Sequence, residues 1–353
     1  MTAREQLAQF AAGSKALGRL CREYKNRSAT VHLEELVGGA LSFYAAAAAA
    51  KTGGVHVFVA EDRDAAAYLM NDFYNLLDEK QVYFFPSSYK RSVAYGAEDA
   101  QGVVQRTAAM NAVKGFTKGY LIVCTYPEAL AERVADAETL RRDTIAVKVG
   151  DSISIAVLED ALVDANFPRV DFVYEPGQYS VRGGIVDVFS FSESKPYRID
   201  FFGDEVETIR TFDVETQLSK EKLDSIYIVP EMSKNAMDST SLLGSLPRNT
   251  CIAARDLAWC KERIGSVWND DPVVADEESF ADIDQMRKKL VRGEDFLREV
   301  LDFRRIHFGA RPMGTADATI HFSTQTQPIY HKNFDRVSES FHKYLDEGYT
   351  LYL

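Results

Sequence analysis

Leu36-Val-Gly38-Gly39-Ala40-Leu41-Ser42 stands between an apolar run and an alanine-rich stretch, where a phosphate-cradling loop would belong in an α/β protein. Such a loop needs glycines where the backbone approaches the phosphates, a lysine for the β- and γ-oxygens, and a Ser or Thr for Mg²⁺. Gly38, Gly39 and Ser42 are present, but no lysine follows before Lys51. The segment from Ala45 to Lys51-Thr52 imitates the spacing with both glycines replaced. It closes an alanine helix whose amides are already committed to helical bonds, so the loop reads as degenerate and no nucleotide or other cofactor is expected. The six histidines contain no H-x-x-x-H or H-E-x-x-H pair, so no metal site is signalled. No G-x-S-x-G elbow and no cysteine with an evident histidine partner is present. Catalysis therefore has no support at the level of residues.

The 353 residues, 46% apolar and 27% charged, leave room for two or three domains. No apolar run reaches the ~18 residues that span a bilayer. Met1-Thr-Ala-Arg-Glu-Gln does not resemble a secretory signal. Cys21, Cys124, Cys251 and Cys260 are scattered without a Cys-x-x-Cys pair, which fits a reducing cytoplasm. Lys plus Arg is 41 against 53 for Asp plus Glu, a net charge of −12. Binding to a polyanion would need a local basic patch.

Four segments position these residues. In 1–144, after a helical start, Val31-His-Leu, Val55-His-Val-Phe-Val, Val82-Tyr-Phe-Phe and Tyr120-Leu-Ile-Val-Cys read as strands. The helical stretches Phe43–Ala50, Asp64–Leu77 and Ala97–Val113 lie between them. Strand and helix in alternation predict a parallel α/β layer, and Ala45 to Ala50 predict a closely packed buried helix. In 145–231 one helix, 155–165, precedes six strand-like runs: 170–174, 178–182, 185–190, 197–202, 205–213 and 226–229. Turns at Pro176-Gly177, Gly183-Gly184, 190–194 and Gly203-Asp204 separate them, which predicts a small antiparallel α+β module. In 232–318, a linker over 232–248 is followed by renewed α/β texture over 249–275. A charged helical stretch over 278–306, broken near Gly293, and a loop over 309–318 complete that segment. In 319–353, a helix over 333–346 and an apolar strand, Gly348 to Leu353, predict the start of a further domain. An end inside a strand also predicts a fragment of a longer protein.

The module has 8 basic and 17 acidic side chains over 146–231, a balance of 8 − 17 = −9. Such a field repels polyanions, whereas isolated arginines on an acidic background suit bidentate recognition of protein carboxylates. Ser180 and Arg182, two apart on one strand, share a face, and Arg169 could come alongside. Taken alone, each of these arginines reads first as an internal ion pair with one of the module's carboxylates. Arg198 and Arg210 read as internal pairs with the neighbouring carboxylates. Phe189, Phe201 and Phe202 read as core, with any one left exposed a candidate anchor.

The most specific stretch runs from Phe167-Pro-Arg169-Val-Asp-Phe-Val-Tyr-Glu-Pro-Gly177-Gln-Tyr-Ser-Val-Arg182-Gly-Gly-Ile-Val-Asp187-Val-Phe189 to Tyr197-Arg198-Ile-Asp-Phe-Phe202-Gly-Asp-Glu205-Val-Glu-Thr-Ile-Arg210-Thr-Phe-Asp213. It resembles the second domain of the excision-repair protein UvrB and its counterpart in bacterial transcription-repair coupling factors. The segments Phe85-Pro-Ser-Ser-Tyr-Lys to Arg106 and Leu121-Ile-Val-Cys-Thr-Tyr-Pro-Glu-Ala-Leu resemble the preceding α/β part of the same region. The degenerate Gly38-Gly39-Ser42 loop matches the coupling factor. So does the absence of an aromatic-rich hairpin between Tyr83 and Val104, since UvrB has a working loop and such a hairpin.

The resemblance implies a vestigial P-loop-NTPase-like scaffold, parallel α/β, with an inserted antiparallel α+β domain. It also implies that the inserted domain docks the damage-recognition ATPase UvrA. Carried over from Gly177, the UvrA-contacting positions are Arg169, Ser180, where the family pattern has arginine, and Arg182; Phe189 is a further candidate. RNA polymerase and double-stranded DNA would be bound by parts of the full-length family protein outside this chain. The competing reading is an ATP-dependent DNA-remodelling enzyme with a non-standard nucleotide loop, for which Lys51-Thr52 is the sole support.

Overall fold

A computed structural model of the chain describes residues 5, 9, 13–24, 29–89, 99–135, 142–193, 195–230, 239–269, 286–309, 312, 314–326, 328–349 and 351. Ser14 caps α1 (Lys15–Glu23), its hydroxyl accepting the Leu17 amide. There follow β1 (Thr30–Glu34), α2 (Ala40–Thr52), β2 (Gly54–Val59), α3 (Arg63–Leu76), β3 (Val82–Phe85) and α4 (Ala100–Gly115). The first segment ends with β4 (Tyr120–Thr125), the single turn α5 (Pro127–Leu130) and the short β5 (Val134–Ala135). The module comprises β6 (Ile145–Lys148), α6 (Ile155–Asp164), β7 (Tyr179–Arg182), β8 (Ile185–Val188), β9 (Tyr197–Phe202), β10 (Glu205–Phe212), β11 (Ser219–Leu223) and β12 (Ser225–Ile228). After it come β13 (Ser239–Thr240), α7 (Leu242–Ser245), β14 (Cys251–Ala254), α8 (Leu257–Asn269), α9 (Gly293–Val300), β15 (Arg304–His307), β16 (Ala318–His321) and α10 (Phe334–Asp346).

Strands from both sides of the module form one seven-stranded sheet in the order β16-β1-β15-β14-β2-β4-β3, with every pairing parallel. After their first residue, β2 and β4 are buried throughout, as strands covered on both faces must be. One hydrophobic core joins residues from before and after the module, among them Val31, Val57, Ile122, Ile252, Ile306 and Ile320. In α2, Ala45 to Ala49 are buried and Ala50 is exposed. That agrees with the closely packed helix expected from the alanine run, because a side chain of one methyl lets the backbone approach the sheet. The module has its own five-stranded antiparallel sheet, β11-β10-β9-β8-β7, and its own core. The molecule is therefore α/β with a separate small antiparallel sheet.

The module's two ends are paired with each other. β6 runs antiparallel to β12, from Ile145↔Ile228 to Lys148↔Ser225. Nearer the scaffold, β5 runs antiparallel to β13. The root of this neck is a buried ion pair between Arg106 on α4 and Glu132, just before β5. The guanidinium donates to the Pro86 and Ala129 carbonyls at 2.8 and 3.0 Å and lies 4.0 Å over the Phe85 ring. The carboxylate accepts the Ser88 amide at 3.0 Å and the hydroxyls of Ser87 and Ser88. A pair taken out of water is stable only when so completely hydrogen-bonded.

Several strands depart from the sequence expectation. Residues 170–174 form no strand but an irregular segment, because only the Arg169 to Val170 backbone bonds alongside β7. Of the unexpected strands, β11 and β15 are polar, whereas β6 is the short run Ile-Ala-Val-Lys. Ser-Lys-Glu-Lys-Leu in β11 lies on a sheet edge, with most of its side chains in solvent. β15, expected to be helical, keeps Arg304 and Arg305 inside the scaffold. The Arg304 guanidinium lies 5.3 Å over the Tyr24 ring, and Arg305 donates to the Leu301 and Phe303 carbonyls, each at 2.7 Å. The charged stretch is helical at 286–288, breaks over 289–292 and resumes at Gly293 as α9, a break where one was expected, and residues 278–285 lie outside the described residues. In the expected linker, 239–240 pair as β13 and 242–245 are helical, while 232–238 lie outside the described residues. β16 spans the boundary expected at 318/319, and its pairing with β1 continues the scaffold sheet past it. The Gly348 amide bonds back to Leu345, so the chain turns where a strand was expected; Tyr349 and Leu351 are outside any strand, and 350, 352 and 353 lie outside the described residues.

Two measurements test this packing. Glu132→Ala leaves the Arg106 guanidinium buried without its counter-charge, and a denaturant titration should show a loss of about 3–5 kcal/mol. Burial pushes the His56 and His307 imidazoles down to about 4, His307 also through neighbouring His32. Their folded pKa lies below the value near 6.5 of the unfolded chain, so the unfolded state takes up protons first as the pH falls. The melting temperature should therefore drop between about pH 6.5 and 4, and less steeply in a His56→Gln/His307→Gln double variant.

Candidate functional site

Alternation along the module strands sorts their side chains onto two faces. Tyr179, Val186, Val188, Ile199, Phe201, Val206 and Ile209 point inward and pack with Leu158 and Leu162 of α6. The opposite face carries Ser180, Arg182, Asp187, Arg198, Asp200 and Arg210. Register aligns Ser180, Asp187, Arg198, Arg210 and Lys222 in one row across all five strands. Two glycines shape the ends of this sheet. Gly203, at φ +64, makes the two-residue loop between paired Phe202 and Glu205. Gly177, at φ +87, bonds its amide to the Phe189 carbonyl at 2.7 Å, and a Cβ there would sit 2.5 Å from the Phe191 ring.

Asp187 is the electrostatic centre of the open face. Its side chain is wholly buried and accepts from Arg198 Nε at 2.7 Å and Nη2 at 2.9 Å, and from Arg182 Nη2. That hydrogen bonding raises the Arg198 guanidinium above its ordinary pKa. Arg198 also lies 4.5 Å over the Phe212 ring and donates to the Gln217 carbonyl at 3.0 Å. Asp200 accepts the Thr208 hydroxyl at 2.5 Å and pairs with Arg210. Arg198 and Arg210 are thus internal ion-pair partners, as the sequence suggested.

The sequence-derived positions divide. Arg182 is 35% exposed, with its guanidinium 4.7 Å over the Phe172 ring while Nη2 holds Asp187. Arg169 is 57% exposed but sits on the α6 side, where Nη1 meets Glu159 Oε1 at 2.7 Å. The Tyr179 hydroxyl donates to that same oxygen at 3.1 Å. The two arginines consequently leave opposite faces of strand β7 and do not form one cluster. Arg169 bridges Tyr179, whose side chain faces α6, and directly bridged residues share a face, so Arg169 falls on the helix side. Ser180 shares the Arg182 face, but it is buried, its hydroxyl donating to the Asp171 carbonyl at 3.1 Å. Phe189 is buried with Val173 and Phe212 beneath the 170–174 segment. Neither Ser180 nor Phe189 is on the surface, which corrects their place among the contact positions.

Of the exposed aromatics Phe172, Tyr174 and Phe202, the first two were missed, while Phe202 is the one of its three phenylalanines left exposed and so meets the condition set for a candidate anchor. Phe172 and Tyr174 are 47% and 57% exposed, and Phe202, at the hairpin loop, is 79% exposed. Parity held the signal for the first two: once Val173 is placed in the core, its neighbours on either side must face out. Of the three phenylalanines read as core, Phe189 and Phe201 are buried and Phe202 is not.

The degenerate loop lies between β1 and α2. Ser42 is buried, and its hydroxyl donates to Asp72 Oδ2 on α3 at 2.5 Å. Lys51 and Thr52 close the last turn of α2, where the Thr52 hydroxyl donates to the Ala48 carbonyl at 2.7 Å. That is the end of a helix where free carbonyls repel phosphate. Among the described residues no group of three or more His, Cys, Asp or Glu is placed to hold a metal, and no helix is long and apolar enough to cross a membrane.

Comparison with known proteins points to the same region. The family model of the UvrB interaction domain matches residues 145–233. The transcription-repair-coupling factors of Bacillus subtilis strain 168 and Escherichia coli K12 are each 29% identical over 199 residues, covering 56% of this chain and 17% of theirs. That of Haemophilus influenzae is 32% identical over 128 residues, covering 36% of this chain and 11% of its own. The chain thus spans less than a fifth of the length of these relatives. Residues 145–233 match the UvrB interaction domain family, and the chain is similar to transcription-repair-coupling factors over about half its length.

Proposed function

We propose that the module recruits UvrA through the β7 edge of its sheet, with Arg182 and Arg169 as contacts from its two faces. The chain would act as a non-catalytic adaptor in transcription-coupled nucleotide excision repair, in the cytoplasm. RNA polymerase and double-stranded DNA would be engaged by parts of a longer protein. The observation that carries this reading is Arg182: a half-exposed guanidinium, stacked on Phe172 and tethered by Asp187, at the rim of a strongly acidic module. An acidic module disfavours nucleic acid as the partner, while a fixed guanidinium suits a protein carboxylate. The Gly38 loop without lysine, and a Lys51-Thr52 pair at the wrong end of its helix, support an adaptor over an ATP-dependent remodeller.

Two experiments separate these readings. Purified chain and purified UvrA should associate, and Arg182→Ala and Arg169→Ala should each weaken association by about 1 kcal/mol or more. Equal affinity of the double variant and the unsubstituted chain would remove both residues from the interface. Melting temperature with and without Mg-ATP addresses the remodelling enzyme, because a ligand at 100 times its Kd stabilises by about 2.7 kcal/mol. No shift is expected.

A further inference from the structure

The face of the module sheet opposite α6 combines three features. The first is aromatic. Phe172 and Phe202 both stand in solvent, whereas Phe167, Tyr179, Phe189, Tyr197, Phe201 and Phe212 of the same module are buried. The second is charge. The cross-strand row holds Arg198, Arg210 and Lys222 against Asp187 alone, a positive stripe in a module whose overall balance is −9. The third is rigidity. Val173 is wholly buried, the Gln178 side chain accepts the amides of Tyr174 at 2.9 Å and Glu175 at 3.1 Å, and Arg182 caps the Phe172 ring. Phe202 belongs to a paired strand end, and the preceding Phe201 amide is held by the Gly184 carbonyl at 2.8 Å. Single exposed aromatics are ordinary. Two on rigid backbone, one of them beneath a stacked arginine, have the composition and preorganisation of interface hot spots.

We infer that Phe172 and Phe202 are the apolar anchors on which UvrA seats, with the Arg182 guanidinium receiving a carboxylate of UvrA beside them. This rests on the docking reading above and extends it, since it selects Phe202 from the three phenylalanines the sequence offered conditionally and adds Phe172, which the sequence did not offer. The complementary surface on UvrA would be an apolar socket edged by acidic side chains, matched to the positive row.

Binding of the whole chain to purified UvrA, measured by calorimetry, tests this with Phe172→Ser, Phe202→Ser and the double variant. Tyr68→Ser on α3 and Tyr227→Ser on β12 serve as equally exposed controls. Each phenylalanine variant should bind at least about tenfold more weakly, the double variant more weakly still, and the controls within about twofold of the unsubstituted chain. Melting temperatures should be unchanged, because no core contact is removed; if a serine variant melts early, Phe202→Leu and Phe172→Leu take its place. A double variant that binds within about twofold of the unsubstituted chain, while Arg182→Ala binds weakly, overturns the anchors and leaves the docking surface standing. An unsubstituted chain that does not bind UvrA overturns the docking reading and the anchors together.

Discussion

The buried pair between Arg106 and Glu132 is the constraint on which the two-part architecture depends. The chain must leave the parallel sheet after β4, build a module, and return to add β14 between β2 and β15 without disturbing the register of either. Glu132 lies two residues before β5, the first strand of the neck, and its carboxylate ties the exit point to Ser87 and Ser88 beyond β3. Arg106 ties the same point to α4 and to the Ala129 carbonyl. Arg133 then fastens the returning chain, donating to the Leu290 carbonyl at 3.1 Å and the Ser239 carbonyl at 3.2 Å. A polar knot of this kind contributes little net stability compared with apolar packing, but it fixes one geometry, since each alternative strands a charge. With the root fixed and the module's two ends paired, the inserted sheet forms around its own core and asks nothing of the scaffold's strand order.

Inside the module the division of labour is between faces. The apolar face packs on α6 and supplies the stabilising burial. The other face cannot be apolar without adding a large exposed patch, and it is filled by alternating arginines and aspartates that satisfy one another. Asp187 shows how tightly: a carboxylate with no exposure survives because three guanidinium donors from two arginines surround it. The surplus of cations along that row sits in a module of the opposite overall sign. Long-range attraction therefore follows the net negative charge, whereas close contact meets a positive stripe, a combination suited to a protein surface better than to a phosphate backbone.

The parallel sheet, the alanine helix, the hairpin loop at Gly203 and the ruined phosphate loop were all legible in the sequence, because each follows from local chemistry: apolar runs, the best helix former, a residue free to take positive φ, a missing lysine. What was not legible came from partners remote in sequence. β15 looks helical and charged, and becomes a strand because β1 and β14 bond it on both edges, while Tyr24, 280 residues earlier in the chain, offers Arg304 a ring. β11, polar and without a strand signal of its own, becomes a strand because β10 presents an edge for it to pair with. The relation between Arg169 and Arg182 was beyond spacing arguments, since the intervening segment was assumed to be a strand. Once 170–174 is irregular, parity no longer carries from one arginine to the other, and they separate onto opposite faces. Phe172 and Tyr174 come to the surface because Val173 between them is the residue that enters the core.

Ion pairing within the module and docking of a partner are usually set against each other, as though an arginine occupied by its own carboxylate were unavailable. The geometry of Arg182 argues that the two are compatible. Only Nη2 is bound to Asp187, and Asp187 keeps two further bonds from Arg198 whatever Arg182 does. A guanidinium has five donors in a rigid plane. Tethering one nitrogen and stacking the plane on Phe172 removes most of the side-chain freedom that binding would otherwise have to remove, and leaves the outer edge of the fork open. Arg169 is held less firmly, by one bond to a half-exposed glutamate and no ring, so the entropy it would lose on docking is larger. Of the two positions that spacing alone treated as equivalent, the one already paired and stacked is therefore the better prepared to bind.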